Sequence, residues 1–245
     1  MTTASELIDR IIAAHGGLER WRSLAAIEAS FSSGGLAFAS HFQPNALKGL
    51  RLTVFPHERR VELFGFSGAG RIGQWSPDRV AIVEADGHVL AERHQPRASF
   101  DRPIKNLVWD KLDILYFAGY ALWNYLSFPF FLREPGITLA LPDDGTAGSG
   151  TRLVADFSAD IASHSPRQVF HFDGQDRLLR HDYTADVIGG WATAANLALA
   201  SETVEGLRFY TRRKVYPRMG PRQTVLVGPL LVWIEIDDLA VRFAT

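Results

Sequence analysis

Residues 112–132 read LDILYFAGYALWNYLSFPFFL, the most apolar stretch of a 245-residue chain. Its length is close to the roughly 20 apolar residues of a bilayer-crossing helix. Yet Asn124 and Ser127 are polar, and Pro129 removes a helix hydrogen bond near the far end. Trp109, Asp110, Lys111 and Asp113 crowd the start. Only the part up to Leu126 can be a regular helix, which is too short, so no membrane span is predicted. A helix that is apolar all round needs partners all round. A flat sheet covers one face only, so this stretch asks for a sheet that curls around it. Its aromatic side chains, among them Tyr116, Tyr120, Trp123 and Tyr125, either fill that concavity or line a cavity within it.

The rest of the chain supplies such a sheet. Residues 4–15 carry Leu7, Ile8, Ile11 and Ile12 at helical spacing, with Thr3 and Glu6 placed for a capping box and Gly16-Gly17 as a stop. A short helical piece at 18–24 follows. From residue 25 the period changes. Segment 25–42 reads as two strands joined at Gly34-Gly35 or as one bulged strand. Further strand patterns fall at 50–56, 59–66, 79–84 and 88–94, the last two joined at Asp86-Gly87. A helical region over 109–126 interrupts them. Strand patterns resume at 137–141, 151–157, 167–172, 177–185, 207–216, 223–227 and 230–237, with a hairpin tip at 141–150. Residues 189–206 read as a loop. Short turns make the strands antiparallel. No repeat or linker divides the chain, so the expectation is one α+β domain over 1–245. It consists of a large curved antiparallel sheet of about ten to eleven strands, open on one side, wrapped around the N-terminal helix and the central apolar helix.

Composition excludes several functions. The 26 Lys and Arg against 27 Asp and Glu leave a net charge of −1, without the basic surplus of a nucleic-acid binder. No cysteine is present, which removes disulfides, thiolate catalysis and Cys-type zinc sites. The N-terminal segment has no basic leader before an apolar run, and the expected location is cytoplasmic.

The opening ELIDRIIAAHGGLERWRSLAAIEA resembles the start of proteins in the LolA-like lipoprotein-carrier superfamily: a helix ending in His-Gly-Gly, a helical turn, then the first strand. The resemblance implies an unclosed barrel of antiparallel strands, helices plugging its open side, and a concave face that holds acyl chains. The segments LYFAGYALWNYL, RHDYTADVIGGWA and TRRKVYPR are similar to a group of uncharacterised soluble bacterial proteins, a likeness that brings no function. A leader and a lipid-anchoring cysteine, features of the carriers, are not found here. The expectation taken from the resemblance is therefore the half-barrel with its apolar cavity, not export.

Several residue sets could carry chemistry. GAGRIG at 68–73 matches the spacing of a dinucleotide loop, but a proline and a strand follow it instead of a helix, so it reads as a hairpin and no cofactor is expected. A turn at 173–175 would place Val169, His171, Leu179, His181 and Tyr183 on one sheet face, with Arg180, Asp182 and Thr184 on the other. His41, on a strand over 36–42, could join them. His171, His181 and Tyr183 could serve as acid and base, or make ordinary hydrogen bonds. His41, His171 and His181 are too few to be placed together as zinc ligands, so no metal is expected. Asp110 and Asp113 suit the helix N-terminus, or an acid at a pocket mouth. In 211–218, Arg213 shares a face with Thr211, opposite Arg212 and Lys214; the cluster reads as a solvated outer face, or as a contact for an anionic head group.

The expected function is a binding protein for a hydrophobic small molecule of lipid, acyl or isoprenoid type. Tyr116, Tyr120, Trp123 and Tyr125 would line the site, while His41, His171, His181 and Tyr183 orient a polar end. The alternative is a metal-independent enzyme in the same cavity that uses His181, Tyr183 or His171. A third possibility is an aromatic patch that meets a protein partner.

Overall fold

A computed structural model describes residues 3–142, 151–220 and 223–244. The chain opens with α1 (Ala4–Ala14), whose Thr3 and Glu6 form the expected capping box and whose buried face is Leu7, Ile8, Ile11 and Ile12. Gly16, at φ +110°, stops it, and α2 (Leu18–Arg22) follows. The strands are β1 (Leu24–Gly34), β2 (Leu50–Phe55), β3 (Arg60–Phe64), β4 (Arg71–Ser76), β5 (Arg79–Glu84) and β6 (Val89–His94). After the central helix come β7 (Ile137–Ala140), β8 (Thr151–Phe157), β9 (Arg167–Phe172), β10 (Leu178–Thr184) and β11 (Thr193–Val204). The last three are β12 (Leu207–Met219), β13 (Thr224–Val225) and β14 (Val232–Phe243).

One antiparallel sheet runs in the order β6-β5-β4-β3-β2-β1-β14-β12-β11-β10-β9-β8-β7, with β13 attached to β12. Its ends, β6 and β7, do not pair with each other, so the curved sheet stays unclosed. The chain crosses from one half to the other through the central helix, and β14 returns to pair with both β1 and β12 at the middle. The architecture is thus the α+β half-barrel expected, with 14 strands among the described residues rather than ten or eleven.

Two strands were not anticipated. β4 was hidden by the glycines of the hairpin that it forms with β3, and β11 by an alanine- and leucine-rich run with little strand preference. One expected strand is a helix: after β1 ends at Gly34, residues Leu36–Ala39 form α3, and His41 lies in the turn behind it. The expected hairpin tip at 141–150 falls mostly outside the described residues.

The central helix α4 (Lys111–Ser127) starts on a second capping box, in which the Asp110 carboxylate accepts from the Asp113 amide and the Asp113 carboxylate from the Asp110 amide. Arg93 on β6 binds both carboxylates, at 2.7 Å each. Sixteen of the helix's residues, Leu112 to Ser127, are buried, so it is enclosed on every side as its composition required. No described helix is long and apolar enough to cross a membrane.

Candidate functional site

Helix α4 does not sit evenly in the sheet. Its strongest packing is against β3, β4 and β5. Gly119 makes this possible: a Cβ there would lie 2.1 Å from Trp75 Cγ, so only a bare Cα lets the helix rest on that indole. On the opposite flank the fit is looser. A cavity of about 20 Å³ lies between Ala118, Ala121, Leu122 and Tyr125 of α4 and Phe31, Val215, Val232 and Ile234 of the sheet, and its lining is almost wholly apolar. A second void of about 10 Å³ lies one turn on, bounded by Asn124, Tyr125, Phe128, Phe170, His181 and Arg213. Tyr125 borders both.

Behind Tyr125 is a buried polar network. Its hydroxyl meets His164 Nε2 at 2.7 Å and the Tyr183 hydroxyl at 3.3 Å. Tyr120 Oη meets His164 Nδ1 at 3.1 Å, and the imidazole stacks on the Tyr183 ring. A neutral imidazole has one donor and one acceptor nitrogen, so His164 can satisfy both phenols at once. His181 pairs with Gln168 Oε1 and stacks on Phe170, the residue directly opposite it on β9. Burial sets the protonation states. It brings His164 down to about 3, with help from the nearby Arg97 charge, and drives His181 well below its ordinary value. The Tyr120 and Tyr183 phenols are pushed well above theirs, again mainly by burial. All four groups are neutral at pH 7.

Not every expected residue reaches this place. His181 and Tyr183 face inward as expected. His171 does not: the pairing of β9 and β10 shifts register between Leu178 and Arg180, so Arg180, not His181, faces His171. One extra residue in the hairpin reverses the alternation and sends His171 to the convex face. There its Nε2 lies 3.0 Å from Asp182, a carboxylate also bound by Arg180 and Arg218. His41 is also elsewhere. The turn behind α3 stacks it on Trp109 at the start of α4, with its Nδ1 on the Ala37 carbonyl. His41, His171 and His181 therefore do not converge.

Of the aromatic residues of α4, Tyr125 borders both cavities and Phe117 the larger one, and Tyr120 supports Tyr125 through His164. Trp123 faces the tight side, donating to the Pro56 carbonyl, and Tyr116 packs against Phe100 and Tyr120. All are buried, so they form no outward patch for a protein partner.

Sequence reasoning missed His164, Gln168 and Asn124. The first lies in an irregular turn between β8 and β9, where no period signals a direction. Arg213 is the largest departure. It was expected chiefly in a solvated face, yet it is 1% exposed and lies over the Tyr125 ring at 4.6 Å.

No family model matches the chain, and no curated protein does. Solved structures do. A LolA superfamily protein from Nitrosomonas europaea superposes with a TM-score of 0.54 at 9% identity, covering 100% of this chain and 96% of the other. A DUF1329 family protein from Desulfovibrio piger gives 0.44 at 13%, covering 98% and 94%. The Mycobacterium tuberculosis lipoprotein LppX gives 0.26 at 10%, covering 96% and 95%. The first of these matches, together with the unclosed sheet closed over by α4, shows that this chain has a LolA-like half-barrel fold.

Proposed function

We propose that this chain binds an apolar small molecule of lipid, acyl or isoprenoid type between α4 and the concave face of the sheet. The observation that carries the reading is the asymmetry of α4, locked on Trp75 along one flank and separated from β1, β12 and β14 by an apolar gap along the other. A gap of about 20 Å³ holds little more than one water. Ligand pockets are commonly about 300 Å³ or more. Admission of a chain therefore requires α4 to swing away from β12 and β14 on its loose side, a motion that leaves the Gly119 contact as a pivot. Tyr125 and Tyr183, which both border the gap, would orient a polar end through their hydroxyls.

The enzymatic alternative asks His181 or Tyr183 to titrate near the working pH. Burial moves the imidazole down and the phenol up, which suits fixed hydrogen bonds better than proton transfer. A cytoplasmic location is part of the proposal and is checked by cell fractionation.

Native mass spectrometry of protein purified from cells is expected to show a retained apolar molecule. Ala121→Phe, which fills the gap from the helix side, is expected to abolish retention while the circular dichroism spectrum is unchanged. If the wild-type protein carries nothing and takes up no long-chain acid, ester or alcohol on incubation, the reading is lost.

A further inference from the structure

Arg213 is the one large cation in the interior, and the fold offers it no counter-charge among the described residues. Its cross-strand neighbours are Ala198 on β11 and Ile234 on β14. The rings of Tyr125 and Tyr210 face it at 4.6 and 5.4 Å. Its Nε and Nη1 are buried without a hydrogen-bond partner. A guanidinium keeps its charge even here. An isolated buried charge is strongly unfavourable, and folds that retain one commonly present it to something of opposite sign. The convex face of the same strands shows the contrast: there Arg180 and Arg218 share Asp182.

The unpaired guanidinium also borders a void. The 10 Å³ cavity beside Arg213 is separated by Tyr125 from the apolar gap that Val215 lines. Arg213 and Val215, which border the two voids, stand two residues apart on one face of β12, about 7 Å along the strand. A molecule lying along α4 in the gap needs only a displaced Tyr125 ring to bring its end to Arg213.

We propose that Arg213 is the anchor for a carboxylate at the end of the apolar ligand, so that the ligand class is a long-chain monocarboxylic acid. This rests on the apolar-ligand reading above and adds the head group to it. A single negative charge matches the site. Arg213 is its only cation among the described residues, since His164 and His181 are neutral and Arg218 is turned to the convex face. A doubly charged phosphate monoester would be left half compensated. The carboxylate supplies acceptors for the orphaned N–H groups, and no bond is made or broken.

The test compares palmitic acid with methyl palmitate by calorimetry or tryptophan fluorescence. Wild-type protein is expected to bind the acid about tenfold or more tightly than the ester, the factor appropriate to one charge-assisted hydrogen-bonded contact. Arg213→Met, close in length and without charge, is expected to lose that preference while retaining the ester's affinity. Equal affinity of the wild type for acid and ester overturns the anchor and leaves the apolar site standing. Binding of neither overturns both. The wild-type comparison needs no variant, so a poorly folding Arg213→Met does not blunt it; if that variant folds and still prefers the acid, the anchor is likewise overturned.

Discussion

His15 and His164 are titratable groups that the fold holds away from water for their hydrogen bonds. His15 closes the end of α1, bonding the Ile11 carbonyl at 2.7 Å and the Tyr210 hydroxyl at 2.9 Å. An unfolded imidazole titrates near 6.5, whereas burial brings His15 down to about 4 and His164 to about 3. Between those limits the unfolded chain holds protons that the folded chain does not. The contribution of each is complete above 6.5 and is lost as the pH falls toward 4 for His15 and 3 for His164. Each adds a slope of about 1.4 kcal/mol per pH unit within its window. Urea midpoints measured from pH 7 to 4.5 are expected to fall steadily below 6.5. His164→Gln, which keeps a donor and an acceptor, is expected to remove about 1.4 kcal/mol per pH unit of that slope; an unchanged slope would contradict a neutral His164. At this scale the inward direction of His181 and Tyr183 was legible from strand alternation. His171 was not, because a single-residue register shift is set by cross-strand pairing.

Among the elements, α4 was plain in the sequence, together with its length and its need for enclosure, whereas the capping box of Asp110 and Asp113 was not. Which flank would pack tightly was not, since aromatic residues lie all around it. Gly119 decides that, because its missing Cβ is where Trp75 fits. Gly119→Ala is expected to destabilise the protein by about 1–3 kcal/mol through overpacking, despite the better helix propensity of alanine. Chemical denaturation checks this; a neutral or stabilising result would mean that α4 does not rest on β4 as described. β11 teaches the converse lesson. Its run of alanines has weak strand preference, but its first half, from Thr193 to Leu197, is held between β10 and β12 by pairing on both sides, and β12 carries the ladder on to Val204 across two irregularities. α3 shows the same override in the other direction, where Gly35, at φ +125°, ends β1 and turns the chain into a helix.

For the molecule as a whole, an unclosed sheet leaves two edges to protect. β7 is short, four residues. β6 is longer and largely exposed, and carries Glu92, which pairs with Arg79 on the neighbouring strand. Charge on an exposed edge discourages further strand pairing. Glu92→Val, beside the exposed Val89 and Leu90, is expected to produce concentration-dependent association in light scattering, while the wild type does not change. If the variant behaves as the wild type, the edge is guarded by something other than its charge.

The sequence by itself determined that a greasy helix must be wrapped by a curved antiparallel sheet, because helical and strand periods and turn residues are local properties written in consecutive positions. Tertiary structure alone decided that Arg213 turns inward with no counter-charge among the described residues, that His164 completes the tyrosine network, and that the gap lies on one flank of α4. These depend on the register of strands far apart in the chain and on where side chains from separate elements meet. No local pattern records them.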